Sequence, residues 1–116
     1  MPHNGQTLLA DIRSAAELIQ TFTGGRSHVD YGADAMLRAA VEREFIIVGE
    51  ALSRLEKLDA VLAGQIIAYR QIIGFRNVLV HGYETIDDQI VWQVIAQDLP
   101  VLKRQAEELL ARLGPP

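Results

Sequence analysis

Apolar residues recur every three or four positions along most of the chain, a spacing that places them on one face of a helix. The first stripe predicts a helix that is capped by Thr7 and runs to about Phe22. Its apolar residues are Leu8, Ile12, Ala15, Ile19 and Phe22. Gly24 and Gly25 interrupt the pattern, so residues 23–28 are predicted to form a loop.

A longer second helix is predicted from about Tyr31 or Ala33 to Lys57 or Leu58. Its apolar face is broad enough to contact both its own core and a second copy of the chain. This face consists of Leu37, Val41, Ile46, Val48, Ala51, Leu52 and Leu55. Gly49 would let another helix approach closely, at some cost in helix stability. A short turn or helix over residues 59–64 then leads into the next segment.

The segment 66–82 combines a strongly apolar run with a polar cluster, which is the layout expected where a buried scaffold meets a functional surface. Apolar runs alone suit either a strand or a helix. Helix is preferred because the other periodic segments are helical, and Gly82 is predicted to end it in the left-handed conformation. The residues expected to be largely buried are Ile66, Ile67, Ile73, Val78, Leu79 and Val80.

The C-terminal third is also predicted to be helical. A loop is expected to end in a capping box formed by Thr85 with Asp88. Trp92 anchors the helix that follows, and Pro100 is predicted to break or kink it before a last amphipathic stretch. The sequence therefore predicts an all-α, up-down helical bundle of four or five helices, in a single domain over residues 1–116.

Composition narrows the possible functions. The chain of 116 residues has no cysteine, which excludes disulfides and thiolate chemistry. Its net charge of −4 argues against indiscriminate nucleic-acid binding, although a local arginine can still contact RNA. No apolar run is long enough to span a bilayer and no signal peptide is visible, so a cytoplasmic protein with no membrane partner is expected.

Arg76 and His81 are the main candidates for chemistry. Arginine can bind two phosphate oxygens, and histidine can act as a base or an acid near neutral pH. That is sufficient to cleave RNA without a metal, because the 2′-hydroxyl is the nucleophile. Five residues of helix place the two side chains about 140° apart, so they would meet across a cleft or a two-fold axis. Taken alone, the spacing favours the alternative that both residues only stabilise a helix end.

Other patterns of active-site chemistry are absent from the sequence. There is no glycine-rich phosphate loop, no His-Glu-x-x-His and no calcium loop, and no cofactor or metal site is predicted. His28 is an alternative acid–base group in a loop. Glu50 lies among apolar residues, where a buried carboxylate needs a partner. It is expected either to pair with an arginine or to support Arg76 or His81.

Residues 76–83, Arg-Asn-Val-Leu-Val-His-Gly-Tyr, resemble the Arg-x4-His-x-Tyr signature of HepT-type toxins in the HEPN superfamily. The resemblance continues through residues 42–52, 72–75, 91–92 and 98–100, so that it covers most of the chain.

The resemblance implies an all-α homodimer that acts as a metal-independent endoribonuclease, the toxin of a toxin–antitoxin module. Arg76 and His81 match the catalytic pair of the family, and Asn77 matches a supporting polar position. Tyr83 matches the tyrosine to which an MntA-type nucleotidyltransferase antitoxin transfers AMP. Such a group would add bulk and negative charge beside His81. The alternative is a non-catalytic helical partner subunit that binds a nucleotidyltransferase.

Overall fold

The computed structural model describes residues 4–82 and 86–114. Its elements are α1 (Gly5–Thr23), α2 (His28–Ala33), α3 (Ala35–Leu58), α4 (Ala60–Gly64), α5 (Tyr69–His81), α6 (Asp88–Gln93), a π-helix (Val94–Asp98) and α7 (Leu99–Leu113). These two ranges contain no strand, so the predicted all-α bundle is confirmed. Within them, no helix is both long enough and apolar enough to cross a membrane.

The centre of the bundle is α3, which packs against both α1 and α5, while α1 also packs against α7. Burial of the apolar faces of these helices is the main force that holds them together. The face predicted for α3 is buried at Leu37, Val41, Val48, Ala51, Leu52 and Leu55. The stripe predicted for α1 is buried at Leu8, Ile12, Ala15 and Ile19. The periodic pattern therefore identified the core faces of these two helices.

The start of α1 differs from the prediction. The side chain of Asn4 accepts a hydrogen bond from the backbone N–H of Thr7 at 2.8 Å, and the helix begins at Gly5. The predicted cap at Thr7 is wrong, because the carboxamide oxygen of Asn4 already satisfies a free N–H of the first turn.

The predicted loop over residues 23–28 is shorter than expected and leads into an additional helix. Ser27 and Asp30 form a reciprocal capping box that starts α2. Asp34 then caps α3 by accepting a hydrogen bond from Leu37 N–H at 3.0 Å. The start of α3 predicted at Tyr31 or Ala33 is therefore wrong, since both residues belong to α2.

The segment 66–82 is less buried than its composition suggests. Ile67, which precedes α5, is 81% exposed, and Val78 and Val80 of α5 are 49% and 40% exposed, so the prediction that these three are buried is wrong. The helix ends before Gly82, as predicted, and Gly82 N–H donates to the carbonyl of Val78 at 2.7 Å. Gly82 has a φ of −118°, so the predicted left-handed conformation is wrong.

Pro100 does not break the C-terminal helical run. The chain continues from α6 through the π-helix into α7, in which Pro100 is the second residue. The Leu99 N–H donates to the carbonyl of Val94. Asp87 caps α6 by accepting a hydrogen bond from the N–H two residues later. Thr85 of the predicted capping box lies outside the described residues.

Candidate active site

The candidate site is built on α5, which is fixed against α3 by an apolar stripe. Ile72 and Leu79 are buried, and the rings of Phe75 and Phe45 pack edge to face with centroids 5.2 Å apart. Arg76 lies four residues after Ile72 and three before Leu79. Because 3.6 residues complete a turn, Arg76 projects from the same side of α5 as this stripe.

Arg76 crosses the backbone of α3 at Gly49. A Cβ atom placed on Gly49 would overlap the Cβ of Arg76 and would lie 2.6 Å from its Cγ. The close approach expected at Gly49 is therefore confirmed, and the contacting group is the stem of Arg76. The Nε of Arg76 is buried without a hydrogen-bond partner, which is uncommon for a donor in a folded protein. Within the described residues, its terminal nitrogens form no hydrogen bond or ion pair.

His81 is the last residue of α5, and its side chain is exposed. Asn77, one turn earlier, is also exposed and lies about 40° from His81 around the helix. Arg76 and His81 are about 140° apart on the same continuous helix, as the sequence predicted. One chain therefore places Asn77 and His81 together on its surface and directs Arg76 toward α3.

Glu50 was a candidate because a buried carboxylate needs a partner. Its side chain is exposed, so this reason does not apply. Glu50 lines a depression of about 100 Å³ between α1 and α3, together with Asp11 and Arg54. The ion pairs found among the described residues do not include Glu50. The structure gives no contact between Glu50 and Arg76 or His81 within the described chain.

An open groove runs beside the exposed side of α5. It has a volume of about 490 Å³. It is lined mainly by side chains of α5, α6 and the π-helix, among them Gln71, Phe75, Val78, Ile90, Val94 and Asp98. Val78 and Ile90 are 49% and 53% exposed, so this groove has apolar walls open to solvent. The periodic pattern did not indicate the groove, because it depends on how α6 packs beside α5.

Tyr83, the predicted modification site, lies outside the described residues. Over residues 4–82 and 86–114, no group of three histidine, aspartate or glutamate side chains is arranged to hold a metal ion.

Comparison with known proteins places the chain in a family. The family model described as "Ribonuclease HepT-like" matches residues 12–109, from the middle of α1 into the last third of α7. The chain belongs to the HepT-like ribonuclease family.

Two relatives of this HepT-like protein match over nearly their whole length. "Probable ribonuclease HepT" from Thermococcus cleftensis is 31% identical over 109 residues, which cover 94% of this chain and 98% of the relative. "Putative RNase MJ1380" from Methanocaldococcus jannaschii is 30% identical over 102 residues, covering 88% of this chain and 93% of the relative. No solved structure gives a significant match.

The HepT-like chain has a second polar cluster, where α2 meets α3 and α6. Tyr31 is fully buried, and its hydroxyl has no hydrogen-bond partner. Burial, with the nearby charges of Glu42 and Asp88, raises the pKa of Tyr31 far above its usual range. The ring of Trp92 lies 5.7 Å from that of Tyr31 and 6.4 Å from that of His28, which it stacks against. His28, the alternative acid–base group, thus contributes to the docking of α2 on α6.

Proposed function

We propose that this HepT-like chain is a metal-independent endoribonuclease and the toxin of a toxin–antitoxin module, with Arg76 and His81 as its catalytic pair. The observation that carries the proposal is the state of Arg76, which is held against α3 yet has no partner for its guanidinium. A partly buried arginine without a carboxylate partner is expected to bind an anion. In a ribonuclease, the substrate RNA provides that anion as its phosphate group.

The proposed reaction uses groups of the chain and of RNA alone. The 2′-oxygen attacks the adjacent phosphorus while a base removes its proton, and the bond from phosphorus to the 5′-oxygen breaks as an acid protonates that oxygen. His81 supplies the acid–base groups. The Arg76 fork stabilises the extra negative charge on the phosphorane-like transition state. The products are a 2′,3′-cyclic phosphate and a 5′-hydroxyl.

The proposed active unit is a homodimer. Arg76 and His81 diverge by about 140° within one chain, and the described residues of each chain place one histidine, His81, at the site. A two-fold axis beside α5 would bring two arginines and two histidines to one cleft, which supplies an acid and a base together. The exposed Val78 and the apolar groove beside it support this location of the interface. Asn77, on the same face as His81, is proposed to support the site.

The proposed regulation is by modification of Tyr83, two residues after His81. An MntA-type nucleotidyltransferase would transfer AMP to its hydroxyl, and the added phosphate would repel RNA and obstruct the cleft. Both proteins would meet in the cytoplasm. This part of the proposal is supported by the position of Tyr83 in the motif.

Cleavage of RNA by purified protein of confirmed unmodified mass tests the function. We expect His81→Ala to reduce the cleavage rate by at least 100-fold, the scale of general acid–base catalysis, without unfolding the protein. His28→Ala is the matched control and should retain activity. Cleavage by folded His81→Ala at the wild-type rate would overturn the catalytic assignment. A folded, unmodified wild-type dimer that cleaves no RNA, but binds a nucleotidyltransferase, would favour the partner-subunit alternative.

A further inference from the structure

Gly49 is unusual among the helical glycines of the chain. Gly64 and Gly74 have no neighbouring atom within 4 Å of an added Cβ, whereas Gly49 faces the Arg76 stem directly. Glycine weakens the interior of a helix, and Gly49 lies well inside the 24-residue α3. A glycine at this position is explained if the space that a side chain would fill is needed by the Arg76 stem.

We propose that Gly49 is the positioning residue for Arg76, because only a residue without a side chain lets the Arg76 stem cross α3 and present its guanidinium to an RNA phosphate. This inference rests on the function proposed above. Gly49 does not contact the substrate itself; it acts through Arg76.

The contact is rigid on both sides. The Cβ atoms of helical residues are fixed by their backbones, so a methyl group on Gly49 cannot avoid Arg76 by rotating a side chain. Movement of α5 is opposed by Ile72 and Leu79, which are buried on either side of Arg76, and by the packing of Phe75 on Phe45. An alanine at position 49 would therefore displace Arg76 or open the interface between α3 and α5.

The same contact defines which edge of the guanidinium can bind a phosphate. The Nε of Arg76 is buried and lies 3.5 Å from the position of a Cβ on Gly49, so α3 covers that edge. The terminal nitrogens are not among the buried unpaired atoms. We therefore infer that Arg76 binds the phosphate end-on, through its two terminal nitrogens.

The first test compares Gly49→Ala with the control Gly64→Ala. We expect Gly49→Ala to lower kcat for RNA cleavage by at least 10-fold with a smaller change in KM, and Gly64→Ala to stay within two-fold of wild type. The ¹H–¹⁵N signal of the Arg76 Nε, identified by its loss in Arg76→Gly, should shift in Gly49→Ala and stay unchanged in Gly64→Ala. Folded Gly49→Ala with wild-type kcat and an unmoved Nε signal would overturn the proposal.

The second test needs no RNA and covers the case in which Gly49→Ala folds poorly. Overpacking this contact should lower the Tm by about 5–10 °C in the wild-type background. Arg76→Gly removes the Cβ that the new methyl group would meet, so adding Gly49→Ala to Arg76→Gly should lower the Tm no further. The proposal would be overturned if Gly49→Ala lowered the Tm equally in the wild-type and Arg76→Gly backgrounds. It would also be overturned if the double variant had a lower Tm than Arg76→Gly alone.

The two tests also separate this inference from the function. If wild-type protein cleaves no RNA, the proposed activity fails, while the two Tm differences still decide whether Gly49 positions Arg76.

Discussion

At the scale of single residues, the proposed site combines an arginine held by its stem and a histidine exposed at a helix end. Arg76 has its Nε buried against α3, and its terminal nitrogens form no hydrogen bond or ion pair within the described chain. His81 is exposed at the C-terminus of α5. These environments suit different roles, since a fixed cation stabilises charge while an exposed imidazole exchanges protons.

Arg76→Lys tests whether the planar fork is needed or only the positive charge. A lysine at position 76 keeps the charge but offers a single ammonium group in place of two parallel N–H donors. We expect kcat/KM for RNA cleavage to fall by about 100-fold, a loss of about 3 kcal/mol in transition-state binding, with a change in Tm of only a few degrees. Full activity in Arg76→Lys would show that charge alone is sufficient and would exclude the bidentate role.

At the scale of the helices, local capping and side-chain packing set where each helix lies. The capping box of Ser27 and Asp30 starts α2, and the packing of Trp92 against Tyr31 and His28 docks α2 on α6. This contact places Glu42 of α3 near Asp88 of α6. Burial, together with the charge of Asp88, raises the pKa of Glu42 above its usual value of 4.5.

The raised pKa predicts a pH dependence of stability. The folded state favours protonated Glu42 more than the unfolded state does, so this contribution is present below pH 4.5 and is lost as the pH rises through the folded pKa. Glu42→Gln should therefore raise the Tm at pH 7, by a few degrees at most because solvent screens this partly exposed side chain. The difference should shrink at pH 4.

Thermal unfolding at the two pH values measures this effect, with Glu107→Gln on the exposed side of α7 as the control. A lower Tm for Glu42→Gln at pH 7 would show that the ionised carboxylate stabilises the fold, which is opposite to the expected sign.

At the scale of the whole molecule, the bundle leaves one face of α5 open to solvent. This face carries His81 and Asn77 and adjoins the groove with apolar walls. A site completed by a second copy would explain why Arg76 and His81 diverge within one chain.

Val78→Asp tests the homodimer, because it places a charge in the centre of the proposed interface. Light scattering on size-exclusion chromatography should give a wild-type mass about twice the 12.8 kDa of the chain, and the single-chain mass for Val78→Asp. The rate of RNA cleavage by Val78→Asp should fall in proportion to the loss of dimer. Val61→Asp is the control, since Val61 is 78% exposed on α4 and does not line the groove. A dimeric Val78→Asp variant would place the interface elsewhere.

The sequence predicted the parts of this molecule that depend on local pattern. Periodic burial identified the core faces of α1 and α3, and the motif identified Arg76 and His81 as candidates. The pattern could not predict that Val78 is exposed or that Glu50 faces the α1 side, since both depend on which neighbours a helix finds. It indicated close packing at Gly49 but not its partner, because the register of α5 on α3 is set by contacts far apart in sequence.

The proposed ribonuclease is tested most directly by cleavage in excess EDTA of an RNA with one mapped cleavage site, beside the same RNA carrying a 2′-deoxynucleotide immediately 5′ to that site. We expect wild-type protein to cleave the first RNA to a 2′,3′-cyclic phosphate and a 5′-hydroxyl and to leave the 2′-deoxy substrate uncleaved there. Arg76→Lys should slow the reaction. Loss of cleavage on adding EDTA, or cleavage of the 2′-deoxy substrate at the same position, would contradict the proposal.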